Sequence, residues 1–289
     1  MLFLGCPIWS NKAWVGTFFP SGSKTRDFLS LYSRRLNAVE GNTTFYGLPT
    51  LETVVRWRDE TPPGFRFCLK FPRSITHEHR LEGAEADTEA FAERVRLLGE
   101  RAGAPLLQLP PSFGAAALPR LLAYLDALPA ALAGCAVEVR HGNFFGAAEA
   151  PFDEALRARG LARVLYDQRG LRSAEPRDEG TRRAQAAKPD VPVRFTRTAG
   201  YVLVRYIAHP DLPANAPLLD EWAGHVAEWL AAGDDIYFFC HHKDDAYAPM
   251  VARDFHARVR QRYAGLPPLP AWGPADAAPP AEAQQPRLF

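Results

Sequence analysis

The sequence predicts an α/β chain folded as a (β/α)8 barrel of TIM type, followed by a disordered Pro/Ala-rich tail. Three observations carry that expectation. Eight short β-rich apolar runs recur, helix-length segments separate them, and no G-x-G-x-x-G follows the first run. Short apolar runs suit strands buried on both faces, as in a parallel sheet. Strand–helix alternation builds βαβ units, and eight of them favour a closed barrel over an open doubly wound sheet. The missing glycine fingerprint counts against a dinucleotide fold.

The expected strands are residues 2–6, 38–40, 66–70, 106–109, 136–140, 163–167, 201–206 and 236–240. Five intervening segments read as helices. Residues 24–36 space Phe28, Leu31, Tyr32 and Leu36 on one face, and residues 88–101 do so with Phe91, Val95 and Leu98. Residues 118–132 are Leu/Ala-rich. Residues 218–232 place Leu219, Trp222, Val226 and Leu230 together, and residues 247–263 repeat the pattern with Val251, Phe255 and Val259. Residues 170–191 are polar, with Arg172, Arg177, Arg182, Arg183 and Lys188, and read as a long loop. The barrel domain is therefore expected over residues 1–264. Residues 265–289 alternate prolines with alanines and cannot form a core, so a flexible tail is expected there.

The bulk numbers fit one soluble domain. The 289 residues are 47% hydrophobic and 23% charged, which is ordinary globular composition. The formal net charge of +1 gives no overall attraction for polyanions, so an anion site must come from local clustering. Four cysteines without a C-x-x-C pair read as buried, reduced thiols of a cytoplasmic protein. The N-terminal residues lack the basic region and long apolar core of a signal peptide. No apolar run approaches the ~20 residues of a membrane span.

In a (β/α)8 barrel the working site lies at the C-terminal ends of the strands. The polar residues expected there form a dense ring. Glu40, His77 and Glu138 are the candidate catalytic groups. Trp9, Asn42, Lys70, Gln108, Arg140, Asp167 and Arg205 are the candidate substrate-binding groups. Cations beside carboxylates and imidazoles can hold an anion while a proton moves. Glu and His also suit a divalent metal, although no H-x-x-x-H or H-E-x-x-H spacing supports one. The bland alternative is that Glu40, Glu138, Lys70 and Arg140 neutralise one another. His209, His241 and His242 complete the ring; of the adjacent pair, at most one can face the site. The nearby aromatics, Trp14, Phe18, Phe19, Phe45, Tyr46, Phe113, Phe144 and Phe145, suit either core packing or a stacking surface.

The same residues carry a family likeness. Gly5-Cys6-Pro7-Ile8-Trp9-Ser10, Val39-Glu40-Gly41-Asn42-Thr43-Thr44-Phe45-Tyr46, Ile75-Thr76-His77, Gln108-Leu109-Pro110-Pro111-Ser112-Phe113 and Glu138-Val139-Arg140-His141 together resemble the YecE-like family, domain of unknown function 72. The resemblance spans most of residues 1–263. It implies a (β/α)8 barrel, and a distant likeness to metal-dependent, endonuclease-type barrels suggests nucleic acid as a ligand. Two late blocks depart from the commoner pattern, Arg205-Tyr206-Ile207-Ala208-His209-Pro210 and Phe239-Cys240-His241-His242. Separately, Gln285-Pro286-Arg287-Leu288-Phe289 resembles the peptide by which bacterial proteins bind the replication sliding clamp. A glutamine with two apolar anchors is what a small hydrophobic groove needs.

Two functions follow as expectations. One is a hydrolase or phosphodiester-acting enzyme on a phosphorylated or nucleic-acid substrate. The other is a non-catalytic nucleic-acid or protein binding module tied to the sliding clamp.

Overall fold

The structure is a computed structural model that describes residues 1–272. Nine strands occur among them: β1 Leu2–Cys6, β2 Ala38–Gly41, β3 Arg66–Leu69, β4 Leu106–Gln108, β5 Ala136–Glu138, β6 Ala162–Arg163, β7 Leu165–Asp167, β8 Tyr201–Ile207 and β9 Asp235–His241. They form two parallel sheets, ordered β3-β2-β1-β9-β8-β7 and β4-β5-β6. The sheets meet at two places. Lys70 bridges Leu106 in parallel, and the Phe71 N–H donates to the Leu106 carbonyl at 3.0 Å. At the other junction β6 runs into β7 through Val164, whose N–H donates to the Val137 carbonyl at 2.9 Å.

The sixth expected strand is thus divided in two. The Arg163 N–H donates to Thr198 Oγ1 at 2.7 Å, a side-chain acceptor. Pairing with β8 begins only at Leu165, while β6 pairs with β5 alone.

Side chains alternate across each strand. One face gathers Phe3, Ala38, Cys68, Leu106, Ala136, Leu203 and Phe239 into an inner apolar cluster. The opposite face, with Leu4, Val39, Phe67, Val137, Val204 and Phe238, packs against the helices in a larger core. All four cysteines are buried and free. The expected aromatics mostly serve this core: Trp14, Phe18, Phe19, Phe113 and Phe144 are buried, while Tyr46 is exposed.

The five expected helices appear at Phe28–Ser33, Glu85–Leu98, Leu118–Asp126, Ala216–Ala231 and Ala248–Arg262. Others were not foreseen. Leu51–Asp59 starts where the Thr50 hydroxyl accepts from the Thr53 N–H at 3.2 Å. The segment 170–191, expected as a loop, holds Arg169–Ser173 and Glu179–Ala187. Asp178 caps the second of these by accepting from the Thr181 N–H at 2.9 Å. The Gln185 amide ties the two together by donating to the carbonyls of Leu171 and Ala174.

Past the expected boundary at residue 264 the chain still packs on the core. Leu266 and Leu269 pack on the core, and Trp272 is buried edge-on to Phe18 at 5.2 Å. A large aromatic ring at that position outweighs the helix-breaking prolines around it. The rest of the tail, with Gln285, Leu288 and Phe289, lies outside the described residues. Among the described residues, no helix is long and apolar enough to cross a membrane.

Gly5 permits the close approach of β1 and β2. A Cβ there would lie 2.1 Å from the Ala38 carbonyl oxygen and 3.0 Å from Tyr32 Oη. That oxygen accepts from Tyr32 Oη at 2.8 Å, and Tyr32 Oη accepts from the Cys6 N–H at 2.7 Å. Neither neighbour can retreat without breaking the pairing. Gly5→Ala is expected to cost about 3 kcal/mol or more, the upper end of overpacking. Equilibrium denaturation reads this, and an unchanged midpoint would contradict it.

Candidate functional site

The alternation that fills the inner cluster also builds a polar layer above it. Two residues beyond Ala38, Cys68, Leu106, Ala136, Leu203 and Phe239 come Glu40, Lys70, Gln108, Glu138, Arg205 and His241. A period of two keeps them on the same face, at the C-terminal ends of their strands. All six are buried.

Charged hydrogen bonds link most of this layer. Arg205 grips Glu40 with both ends of its guanidinium fork, Nε to Oε2 at 2.8 Å and Nη2 to Oε1 at 2.7 Å. Its remaining Nη1 donates to Glu138 Oε2 at 2.7 Å. Arg140 closes the chain, with Nε to Glu138 Oε1 at 2.5 Å and Nη2 to Gln108 Oε1 at 2.7 Å. Asn42 donates to Glu40 Oε1 at 2.7 Å and to the Pro7 carbonyl at 3.1 Å. His241 Nε2 lies 3.2 Å from Glu40 Oε2.

Burial alone would push both carboxyls up. For Glu40, Arg205 and His241 outweigh that effect and hold it well below the usual carboxylate range. For Glu138, Arg140, Arg205 and Lys70 do so, and its pKa falls to about 2. Both carboxylates stay ionised at neutral pH, and every oxygen already has a partner. In this arrangement Glu40 and Glu138 neutralise and orient the arginines.

Two lysines are left without an anion. Lys70 Nζ sits 3.9 Å from the centroid of the Phe45 ring, and among the described residues no carboxylate pairs with it. Burial, then Arg205 and Arg140, push its pKa down to about 7. Lys188, half-buried after the helix Glu179–Ala187, responds to the same arginines; burial first and then their charge lower it to about 8. Tyr166 adds a donor. Its hydroxyl is buried without a partner, and the Arg140 and Arg205 guanidinium carbons lie 5.6 and 5.9 Å from its ring centroid. Burial pushes the phenol up, so it keeps its proton.

His77 stands on the Lys70 side. Its ring meets Phe45 edge-on at 5.0 Å, and Nδ1 lies 2.8 Å from Thr76 Oγ1. Burial, then Lys70 and Arg140, lower its pKa to about 4, which leaves a neutral imidazole at neutral pH.

Two expected residues face elsewhere. Asp167 is one residue past Tyr166 and so points to the helix side. There its Oδ2 accepts from Trp222 Nε1 at 2.7 Å and from Arg169 Nη2 at 2.9 Å. Trp9 packs edge-on against Trp57 at 5.0 Å and Phe67 at 6.0 Å, both outward-facing core residues. Of the adjacent histidines only His241 joins the layer; His242 bonds Asp244 Oδ1 at 2.9 Å. Among the described residues the His209 ring bonds only the backbone of Asp211. Sequence reasoning missed Tyr166 and Lys188. Counting by two from Ala162 would have found Tyr166, whereas Lys188 lies off the strands and carries no such signal. Among the described residues, no three His, Cys, Asp or Glu side chains gather as metal ligands.

Two outcomes follow from the ion-pair chain. Arg205→Ala strands two buried carboxylates and is expected to cost about 3–5 kcal/mol in denaturation experiments. Glu138 has a folded pKa of about 2 against 4.5 for the free group. Its stabilisation is therefore present above pH ~4.5 and is lost as pH falls towards 2. The melting temperature should drop across that window, and a flat profile there would contradict the assignment.

Known proteins resemble the chain over most of its length. Residues 3–275 match the family described as "Protein of unknown function DUF72". The chain is 38% identical over 273 residues to UPF0759 protein YecE of Escherichia coli strain K12, covering 94% of this chain and 97% of that protein. The same protein of Escherichia coli O157:H7 matches equally, at 38% over 273 residues. A DUF72 family protein of Thermotoga maritima shares the fold with a TM-score of 0.71 at 24% identity, covering 90% of this chain and 99% of that one. One from Enterococcus faecalis does so at 0.67 and 19%, covering 92% and 97%. A family match over nearly the whole chain, with relatives this similar over their full length, means that the protein belongs to the DUF72 family.

Proposed function

We propose that the strand ends form the mouth of a closed (β/α)8 barrel that binds a small phosphate-bearing anion and acts on it. Closure is supported by the Lys70–Leu106 bridge at one junction and by the unbroken chain through Val164 at the other. One observation carries the ligand class. Glu40 and Glu138 are consumed by Arg205 and Arg140, while Lys70, Lys188 and the Tyr166 hydroxyl have no acceptor. An oxyanion is the complement of such a set, because charge-assisted hydrogen bonds to it are the strong ones. The ligand is small, since Lys70 is buried.

Isothermal titration with inorganic phosphate tests this. Lys70→Met and Lys188→Met should each weaken binding about tenfold, the cost of one charge-assisted contact. Lys24→Ala, which removes an exposed lysine, should not. Wild-type affinity should fall as pH rises through 7 to 8, where both lysines lose their protons. Equal affinities for all three variants would sink the reading.

A second reading rests on the pentapeptide Gln285-Pro286-Arg287-Leu288-Phe289. In it the protein docks on a bacterial sliding clamp through Gln285, Leu288 and Phe289, as a binding module for nucleic acid or a replication partner. Burying Leu288 and Phe289 is worth about 1.5–3 kcal/mol each before ordering costs. Calorimetry against a clamp should give heat for the full chain and none for the Leu288→Ala/Phe289→Ala variant. Equal heats would end this reading.

A further inference from the structure

We propose that Lys70 is an imine-forming nucleophile, and that the ligand of this site is an anionic aldehyde or ketone. The inference rests on the reading of the strand ends as an anion site and names the chemistry done there. A lysine becomes nucleophilic when its amine is neutral at working pH, through desolvation or an adjacent cation. Lys70 has both: it is buried, among the described residues no carboxylate is in ion-pair range of it, and burial with the Arg205 and Arg140 charges outweighs the opposing pull of Glu138 and Glu40. The Phe45 ring face favours the ammonium, but burial and the arginines prevail. The carboxylates that would hold the proton on Lys70 are themselves held by the arginines.

The step balances without a further reagent. The neutral Nζ adds to the carbonyl carbon, a C–N bond forms, and the carbonyl oxygen takes a proton to become a hydroxyl. That carbinolamine then loses the hydroxyl and a nitrogen-bound proton as one water, leaving the imine. The Tyr166 hydroxyl, protonated and unpartnered, is a donor to the oxygen in both stages. The anionic part of the ligand is assigned to Lys188, on which the same Arg205 and Arg140 charges act as on Lys70.

The test uses the full chain with glyoxylate as probe and cyanoborohydride as hydride donor, followed by peptide mapping of the five lysines, Lys12, Lys24, Lys70, Lys188 and Lys243. Hydride delivered to the imine carbon fixes a carboxymethyl group on the lysine. At pH 7, label at Lys70 should exceed that at Lys12 or Lys24 by about tenfold or more, because an ordinary lysine with pKa ~10.4 is almost wholly protonated there. Inorganic phosphate should suppress the Lys70 label and spare the others. Label spread over the lysines without preference for Lys70 overturns the inference. Phosphate binding by calorimetry is scored separately: if it persists while Lys70 stays unlabelled, the anion site stands and the imine falls. If neither is seen, both fall.

Discussion

The structure depends on one buried guanidinium. Arg205 lies between Glu40 and Glu138, and its three donating nitrogens join β8 to β2 and β5. Removing such charges from water is costly, and the cost is recovered only when each donor and acceptor is paired in good geometry. That condition holds here. Arg140, Gln108, Asn42 and His241 occupy what Arg205 leaves free. A slip of one residue in any of these strands would turn its charged group towards the helices. The same interaction that fixes the register therefore also decides which charges remain for a ligand.

This arrangement gives the carboxylates a supporting part. Each is held ionised by a guanidinium, so neither can accept or donate a proton near neutrality. The two lysines are pushed down instead, Lys70 to about 7 and Lys188 to about 8. A low-pKa amine beside permanent cations and a protonated phenol describes a site for an anion, with reactivity concentrated on nitrogen. The carboxylates make this possible by staying in close ion pairs with the arginines, so that neither forms one with Lys70.

Much of the fold was legible in the apolar runs. Alternation of strand-length and helix-length segments located β1 to β5, β8 and β9 within a residue or two, and the helices of the second half closely. The split at Val164 was not legible, because it depends on the Thr198 hydroxyl taking the Arg163 N–H across the fold. The helix Glu179–Ala187 hid in a polar stretch whose order comes from a cap and one glutamine rather than an apolar face. The site was legible as a ring of residue types, and strand parity chose well for Glu40, Lys70, Gln108, Glu138 and Arg205. Asp167 was misplaced because being near the end of a strand is not the same as facing inward. The pairing of the charges could not be read at all, since spacing along the chain says nothing of which carboxylate meets which guanidinium.

The account stands or falls on whether Lys70 lacks an anionic partner. With five lysines in the chain, NMR of protein carrying carbon-13 at the lysine side chains resolves each titration, and Lys70→Arg assigns its signal. The account predicts one signal with a midpoint near 7 that belongs to Lys70, against ~10.4 for an ordinary lysine. An ordinary midpoint for Lys70 would contradict the account, because an amine protonated at neutral pH is no nucleophile.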